Sequence, residues 1–276
     1  MPPHDSPAGP PAPDDAAAAP VAHVLGLPMA LHDPARDKYV SPVMARFGVY
    51  EPVLTELVLN EVRPGDVALD LGAHIGYYTL LLARLVGTGG RVVALEPDPD
   101  NYALLRRNVQ ANGFAQVTLF PGAAGDRPGR CGLHRSTDNA GDHRLHPADE
   151  ARAVVDVDVV RVDWLFRDRA HGVDFVKMDV QGSEGAALEG MTGLLERSPR
   201  VKLLLEFWPL GLERSGYGAA RLLDRLQALG FRVYEVDEVQ GALRKADPHQ
   251  LLARYPATEP AGFVNLWCVK APLPAR

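Results

Sequence analysis

Four acids stand at or near the ends of short apolar runs, where parallel strands hand side chains to a ligand. They are Asp70 in Val67-Ala68-Leu69-Asp70-Leu71, Glu96 after Arg91–Leu95, Asp179 after Val173–Met178, and Glu206 closing Val201–Glu206. Two glycines, Gly72 and Gly76, follow Asp70. The chain then takes on helical apolar spacing from Tyr77 to about Val86. A strand, glycine turn and helix bring backbone N–H groups close to a nucleotide-like ligand at the carboxyl edge of a sheet.

The details select among ligands. A dinucleotide site calls for G-x-G-x-x-G, with the pyrophosphate on the helix N-terminus. Here the spacing is Gly72-x-x-x-Gly76, and the carboxylate of Asp70 just before it would repel phosphate. A ligand with positive groups and no phosphate suits this turn, and S-adenosylmethionine has a sulfonium and an ammonium. Glu96 falls roughly 20 residues on, where an acid meets ribose hydroxyls in a βαβ unit. Asp98 and Pro99 then open a helix as N-cap and first helical residue, and Asn112-Gly113 ends it.

The elements that position these residues form an α/β pattern. Strands are expected near 67–71, 91–95, 116–120, 173–179, 201–206, 231–236 and 262–270, with helices between the early ones, as in a parallel sheet. Residues 122–147 break the alternation and read as a hairpin and polar loop inserted after the third strand. Residues 154–162 alternate Val with Asp and Arg, as a strand with one wet face does. A helix over 52–62 has Leu54, Leu57 and Leu59 as core candidates, and residues 21–31 form a strand or hairpin. Residues 1–20, rich in Pro, Ala and Asp, are expected to be disordered. Residues 21–276 are expected to form one domain with an N-terminal cap segment, 21–64.

The 276 residues carry a net charge of −6, which argues against a nucleic-acid surface. No apolar run reaches the roughly 18 residues of a membrane span. The start lacks a signal-peptide pattern. Cys131 and Cys268 form no C-x-x-C, as expected of reduced thiols in a cytoplasmic protein. A small-molecule acceptor is the expected partner, and a homodimer is a candidate assembly.

The run Gly65–Thr79, then Leu95-Glu96-Pro97, then Val173–Glu184 resembles the FkbM family of class I S-adenosylmethionine-dependent methyltransferases. The last stretch, Val173-Asp174-Phe175-Val176-Lys177-Met178-Asp179-Val180-Gln181-Gly182-Ser183-Glu184, is the most family-specific. The resemblance covers about Tyr39 to Lys270. It implies a Rossmann-like fold, with a seven-stranded mostly parallel sheet whose last strand is antiparallel. It also implies methyl transfer, commonly to a hydroxyl of a sugar or secondary metabolite. His74 and Gln181 depart from the Asn and Glu common at those positions.

On this reading S-adenosylmethionine lies against Asp70, Gly72, Ala73, His74, Gly76, Tyr77, Tyr78, Thr79, Glu96, Pro97, Asp98, Asn101, Ala123 and Asp179. A hydroxyl acceptor needs a group to take its proton. The candidates are His143, Asp179 and Glu206, with Asp142 orienting His143. Arg144 is placed to hold an acceptor carboxylate or phosphate, and Glu184 to contact the acceptor or simply to sit at a helix N-terminus. No metal is expected, since Asp142, His143 and Asp179 show no recognisable ligand spacing. The rival readings are an N-methyltransferase acting on a peptide or amine, a non-catalytic nucleoside-binding module, and a nicotinamide dehydrogenase, which the missing G-x-G-x-x-G disfavours.

Overall fold

The computed structural model describes residues 19–148, 150–167 and 172–270. The expected disordered tail lies, through residue 18, outside the described residues. A hairpin comes first, β1 (Val21–Val24) and β2 (Leu27–Ala30), followed by helices α1 (Val40–Phe47) and α2 (Pro52–Glu61). The alternating part is β3 (Val67–Leu71), α3 (Tyr77–Val86), β4 (Arg91–Leu95), α4 (Pro99–Ala111) and β5 (Val117–Phe120). The insertion holds β6 (Ala123–Ala124), β7 (Gly129–Arg135) and β8 (Ala153–Val160), and α5 (Val162–Leu165) follows it. The alternation then resumes with β9 (Phe175–Met178), α6 (Glu184–Gly190), α7 (Thr192–Glu196) and β10 (Lys202–Phe207). Helices α8 (Pro209–Arg214) and α9 (Ala219–Ala228) lead to β11 (Phe231–Asp237), β12 (Ala242–Lys245), α10 (Pro248–Arg254) and β13 (Val264–Lys270).

The main sheet has the order β12-β11-β13-β10-β9-β3-β4-β5. Strands β5, β4, β3, β9 and β10 run parallel to their neighbours, and β13 is antiparallel to both β10 and β11. The seven expected strands are present with the last one antiparallel, and β12 adds an eighth. Asp237 makes that strand by accepting from the N–H groups of Val239 and Gln240 at 3.0 and 2.9 Å, which turns the chain back on itself. The largely exposed β12 has no apolar alternation to announce it.

The two-residue strand period sorts the core onto two faces. Leu69, Leu71, Val176, Met178, Leu203 and Leu205 face one layer, with Leu188, Leu194, Leu222 and Leu226 from the helices. Ala68, Phe175 and Leu204 face the other, with Met44, Leu54, Val58 and Leu81. The stripe of α2 is Leu54, Thr55 and Val58. Leu59, expected in the core, is 40% exposed, because it stands about a quarter turn outside the middle of that stripe.

The insertion is a small sheet in the order β6-β8-β7; the hairpin expected within residues 122–147 extends beyond them, because β7 pairs with β8, the strand read separately near 154–162. Its polar loop closes where His134 and Arg144 exchange backbone hydrogen bonds at 2.7 and 3.1 Å. The cap docks through Asn108 of α4, which accepts from the Ala30 N–H at 2.7 Å and donates to the carbonyls of Ala30 and Ile75.

Candidate active site

Strand order and side-chain period together build the site. Asp70 of β3 is in register with Lys177 of β9, and Lys177 with Leu204 of β10. Two residues further on, Asp179 and Glu206 emerge on the same sheet face at the carboxyl ends. Asp70, Lys177, Asp179 and Glu206 therefore line one cavity of about 360 Å³, joined by Glu51 from the start of α2. Tyr50, Trp208 and Phe263 form an aromatic wall of that cavity. A narrower pocket adjoins it, lined by Glu96, Pro97, Asn101, Gly122, Ala123, Ala140 and His143 among others. Gly72, His74, Asp179 and Gln181 belong to both and form the shared wall.

Lys177 is a buried cation among acids. Burial works against its charge, but Asp179, Glu51, Glu206 and Asp70 overcome it and hold the ammonium above its usual pKa. Its Nζ lies 3.3 Å from Asp179 Oδ2 and 5.1 Å from the centre of the Tyr78 ring. Four carboxyls around one ammonium leave an acid excess. Burial pushes Asp70 up to about 6, although the Thr79 hydroxyl donates to it at 2.5 Å. Burial, and then the charge of Asp179, hold Glu206 well above the usual carboxylate range. Glu51 is raised mainly by burial and accepts from the Tyr78 hydroxyl at 2.7 Å.

Gln181 ties the two strand-end acids together. Its side-chain amide donates to Asp179 Oδ1 at 2.8 Å and to Glu206 Oε1 at 3.1 Å. Its backbone is left-handed, with φ 49°. A non-glycine residue there stores strain of about 1 kcal/mol or more and persists only where its surroundings over-determine it. Glu184 supplies the restraint, accepting the Val180 and Gly182 N–H groups at 3.2 and 3.1 Å.

In the narrower pocket both oxygens of Glu96 accept backbone N–H groups, from His74 at 2.7 Å and Asp98 at 2.9 Å. Burial nevertheless pushes its carboxyl up to about 8. The glycine turn is anchored on β4, where Gly72 and Ala73 both donate to the Leu95 carbonyl at 3.0 Å. A Cβ on Gly72 would stand 1.9 Å from the Asp179 carbonyl oxygen, so no larger residue lets β3 and the end of β9 approach this closely.

The structure brings most of the sequence-derived residues to these two pockets. Asp70, Gly72, Ala73, His74, Tyr77, Tyr78, Glu96, Pro97, Asn101, Ala123, Asp179, Glu206, Asp142 and Arg144 line one or both. Four others stand behind the lining. Gly76 caps α3, and a Cβ there would meet Leu105 at 2.8 Å, so its smallness serves helix packing. Thr79 is fully buried and holds Asp70. Asp98 is spent as N-cap of α4, accepting from Asp100 and Asn101, and pairs with Arg135 at 2.7 Å. Glu184 pins the loop after β9 and does not line the larger cavity.

His143 is also not where a base would be. It lines the narrower pocket, not the larger cavity. Its Nδ1 accepts the Ser136 N–H at 3.1 Å, so the neutral ring carries its proton on Nε2 and has no lone pair left for an acceptor hydroxyl. Burial, and then His74, lower its pKa to about 3. Asp142 does not orient it. That carboxylate pairs instead with Arg144 through two bonds of 2.6 and 2.9 Å, and with Arg152 at 2.7 Å. Arg144 stacks over Trp208 with 4.5 Å to the ring centre. Asp142 thus occupies two of the guanidinium nitrogens expected for an acceptor anion.

Sequence reasoning gives no role to Lys177, Tyr50 or Trp208, and leaves Glu51 either as a plain helix-start acid or as a group closing the donor pocket. Lys177 had a signal, because a lysine inside Phe175-Val176-Lys177-Met178 must be paired if the strand is buried.

A profile described as "Methyltransferase FkbM domain" matches residues 70–233, from Asp70 to the strand beyond α9. The chain belongs to the FkbM methyltransferase family. Among curated relatives it is 29% identical over 160 residues to the 31-O-demethyl-FK506 methyltransferase FkbM of Streptomyces tacrolimicus, covering 48% of this chain and 61% of that one. It is 43% identical over 61 residues to a protein-L-isoaspartate O-methyltransferase of Aeropyrum pernix, covering 22% of this chain and 24% of that one. The chain therefore spans less than two thirds of the length of either relative. A solved structure of methyltransferase FkbM from Methylobacillus flagellatus aligns with TM-score 0.44 at 20% identity, covering 78% of this chain and 50% of that one.

The donor of this family is S-adenosylmethionine, and the residues present fit it. Glu96 presents a buried carboxylate beside small residues, as ribose hydroxyls require, and the acid excess around Asp70 suits the positive methionine end. Buried imidazole nitrogens of His74 and His143 are left without partners in the same pocket. Among the described residues no cluster of His, Cys, Asp and Glu is arranged to hold a metal ion, and no helix is long and apolar enough to cross a membrane.

Proposed function

We propose that the protein transfers a methyl group from S-adenosylmethionine to a hydroxyl oxygen of a small-molecule acceptor, a sugar or secondary metabolite. The observation that carries this reading is the Asp179–Gln181–Glu206 bridge on the wall between the nucleoside pocket and the larger cavity. When bound, the donor supplies an electrophilic methyl group. Glu96 holds the ribose, and Asp70 faces the methionine end. Glu206 takes the hydroxyl proton. Its raised pKa makes it a stronger base than an ordinary carboxylate, and the amide of Gln181 fixes its direction. Asp179 lies on the shared wall and steadies Lys177. Tyr50, Trp208 and Phe263 offer apolar faces to the acceptor body and exclude water. The Streptomyces relative, named a methyltransferase of 31-O-demethyl-FK506, points the same way.

The acid excess also suits a protonated amine, which keeps N-methylation as a second reading. Incubation with methyl-labelled donor and a panel of polyols, hydroxylated metabolites and amines separates the two. An acceptor that gains one methyl group on oxygen supports the proposal, while transfer confined to nitrogen replaces it. With an active acceptor, Glu206→Gln should lower turnover about 10²–10⁴-fold with donor affinity intact. If only Asp179→Asn does so, Asp179 is the base. Donor binding without transfer to any acceptor would favour a nucleoside-binding module.

A further inference from the structure

His143 has a precise environment that a base role does not use. Its ring sits beside the closure of the insertion loop, one residue before Arg144, and its side chain is 6% exposed. That loop is held at both ends. His134 and Arg144 close it, and Asn101 of α4 donates to the Ala140 carbonyl at 2.9 Å. The Ser136 N–H occupies Nδ1, which fixes the tautomer with hydrogen on Nε2. His143 lines the nucleoside pocket, and its Nε2 is buried and makes no hydrogen bond. The nearest acid oxygen is Asp98 Oδ2, which makes no hydrogen bond but lies 3.8 Å away, too far to accept from Nε2; Arg135 pairs with it at 2.7 Å, and the first turn of α4 holds Oδ1. A buried N–H without a partner is costly, and such groups in native proteins are nearly always satisfied. Glu96 lines the same pocket, and once ionised its carboxylate accepts but cannot donate.

We propose that His143 is a donor-binding residue, whose Nε2–H donates to a ribose hydroxyl oxygen of the S-adenosyl ligand while Glu96 accepts from the ribose hydroxyls. Each wall of the pocket then supplies what the other lacks, an N–H facing a carboxylate. The insertion loop, which reads as an acceptor loop in the sequence, closes over the nucleoside instead. This rests on the reading that the pocket takes S-adenosylmethionine.

Two substitutions separate the ring nitrogens. His143→Asn retains an oxygen near the Nδ1 position for the Ser136 N–H and removes the donor at Nε2. His143→Gln carries an amide N–H near Nε2 and gives up the Ser136 bond. Calorimetry with S-adenosylhomocysteine should show affinity about tenfold weaker for His143→Asn, a factor equal to roughly 1.4 kcal/mol, and near parent for His143→Gln. With the 2′-deoxy and 3′-deoxy forms of the ligand, the penalty of His143→Asn should vanish for one of them. Parent-like affinity in His143→Asn overturns the proposal. Weakening confined to His143→Gln assigns the ring to loop support and also overturns it. A full penalty on both deoxy ligands overturns the ribose contact. If the parent binds no S-adenosylhomocysteine, the donor reading itself falls, an outcome distinct from the others.

Discussion

Binding of an S-adenosyl ligand should release close to one proton at pH 7, with Glu96 as its source. Burial pushes the free Glu96 carboxyl up to about 8 and Asp70 up to about 6. At pH 7 a group titrating at 8 is roughly nine-tenths protonated, and one titrating at 6 about one-tenth. Ribose hydroxyls donating to the carboxylate favour its ionised form, at about 1.5–3 kcal/mol per charge-assisted bond. One pKa unit is about 1.36 kcal/mol, so two such bonds suffice to bring Glu96 below 6. Affinity should then rise nearly tenfold per unit between about pH 6 and 8 and level off above. The free protein runs the other way. The folded pKa of Glu96 lies above its unfolded value, so its contribution to stability is complete below about 4.5 and is lost as pH rises through 8. The thermal shift on ligand addition should therefore widen over the same interval. Calorimetry at pH 7 in two buffers of different ionisation enthalpy counts the protons, and Glu96→Gln should bring the count close to zero and weaken binding. A parent that binds with no proton release and with flat affinity from pH 6 to 8 would refute the reasoning.

Two other outcomes follow from the buried groups. Lys177→Met leaves Glu51, Asp70, Asp179 and Glu206 without their cation and should destabilise the protein by about 3–5 kcal/mol near pH 8. Because Glu51, Asp70 and Glu206 have raised pKa values, much of that loss should return by pH 5 as they protonate; urea titrations that give the same loss at both pH values would contradict this. Gly72→Ala places a methyl group against the Asp179 carbonyl in a left-handed backbone, with φ 78°. It should cost about 2–4 kcal/mol from overpacking and backbone strain, and a urea midpoint close to parent would show that β3 and β9 yield easily.

The half of the candidate site proposed to hold the donor was legible because it is local. Val67–Thr79 and Arg91–Asp98 encode strand, turn and cap within two contiguous stretches, so Asp70, Gly72 and Glu96 could be placed by counting residues. The half proposed to take the acceptor needs the strand order. Lys177 meets Asp70 only because β9 pairs with β3, and Glu206 joins them only because β10 pairs with β9. The role of Gln181 depends on a left-handed backbone that Glu184 enforces from three residues on, which no local periodicity announces. His143 was misread for a related reason. Its neighbours Asp142 and Arg144 suggested a dyad, but Arg152 pairs with Asp142 and the Ser136 N–H holds the ring, which lines the narrower pocket. The eighth strand escaped notice because an Asx turn made it, not an apolar pattern.

A crystal structure with S-adenosylhomocysteine tests the central claim most directly. The account predicts the ribose hydroxyls within hydrogen-bonding distance of Glu96, with the sulfur on the wall formed by Gly72 and Asp179 and turned toward Gln181 and Glu206. A nucleoside bound elsewhere, or one seated on Glu96 with its sulfur pointing away from the Asp179–Gln181–Glu206 bridge, would contradict it.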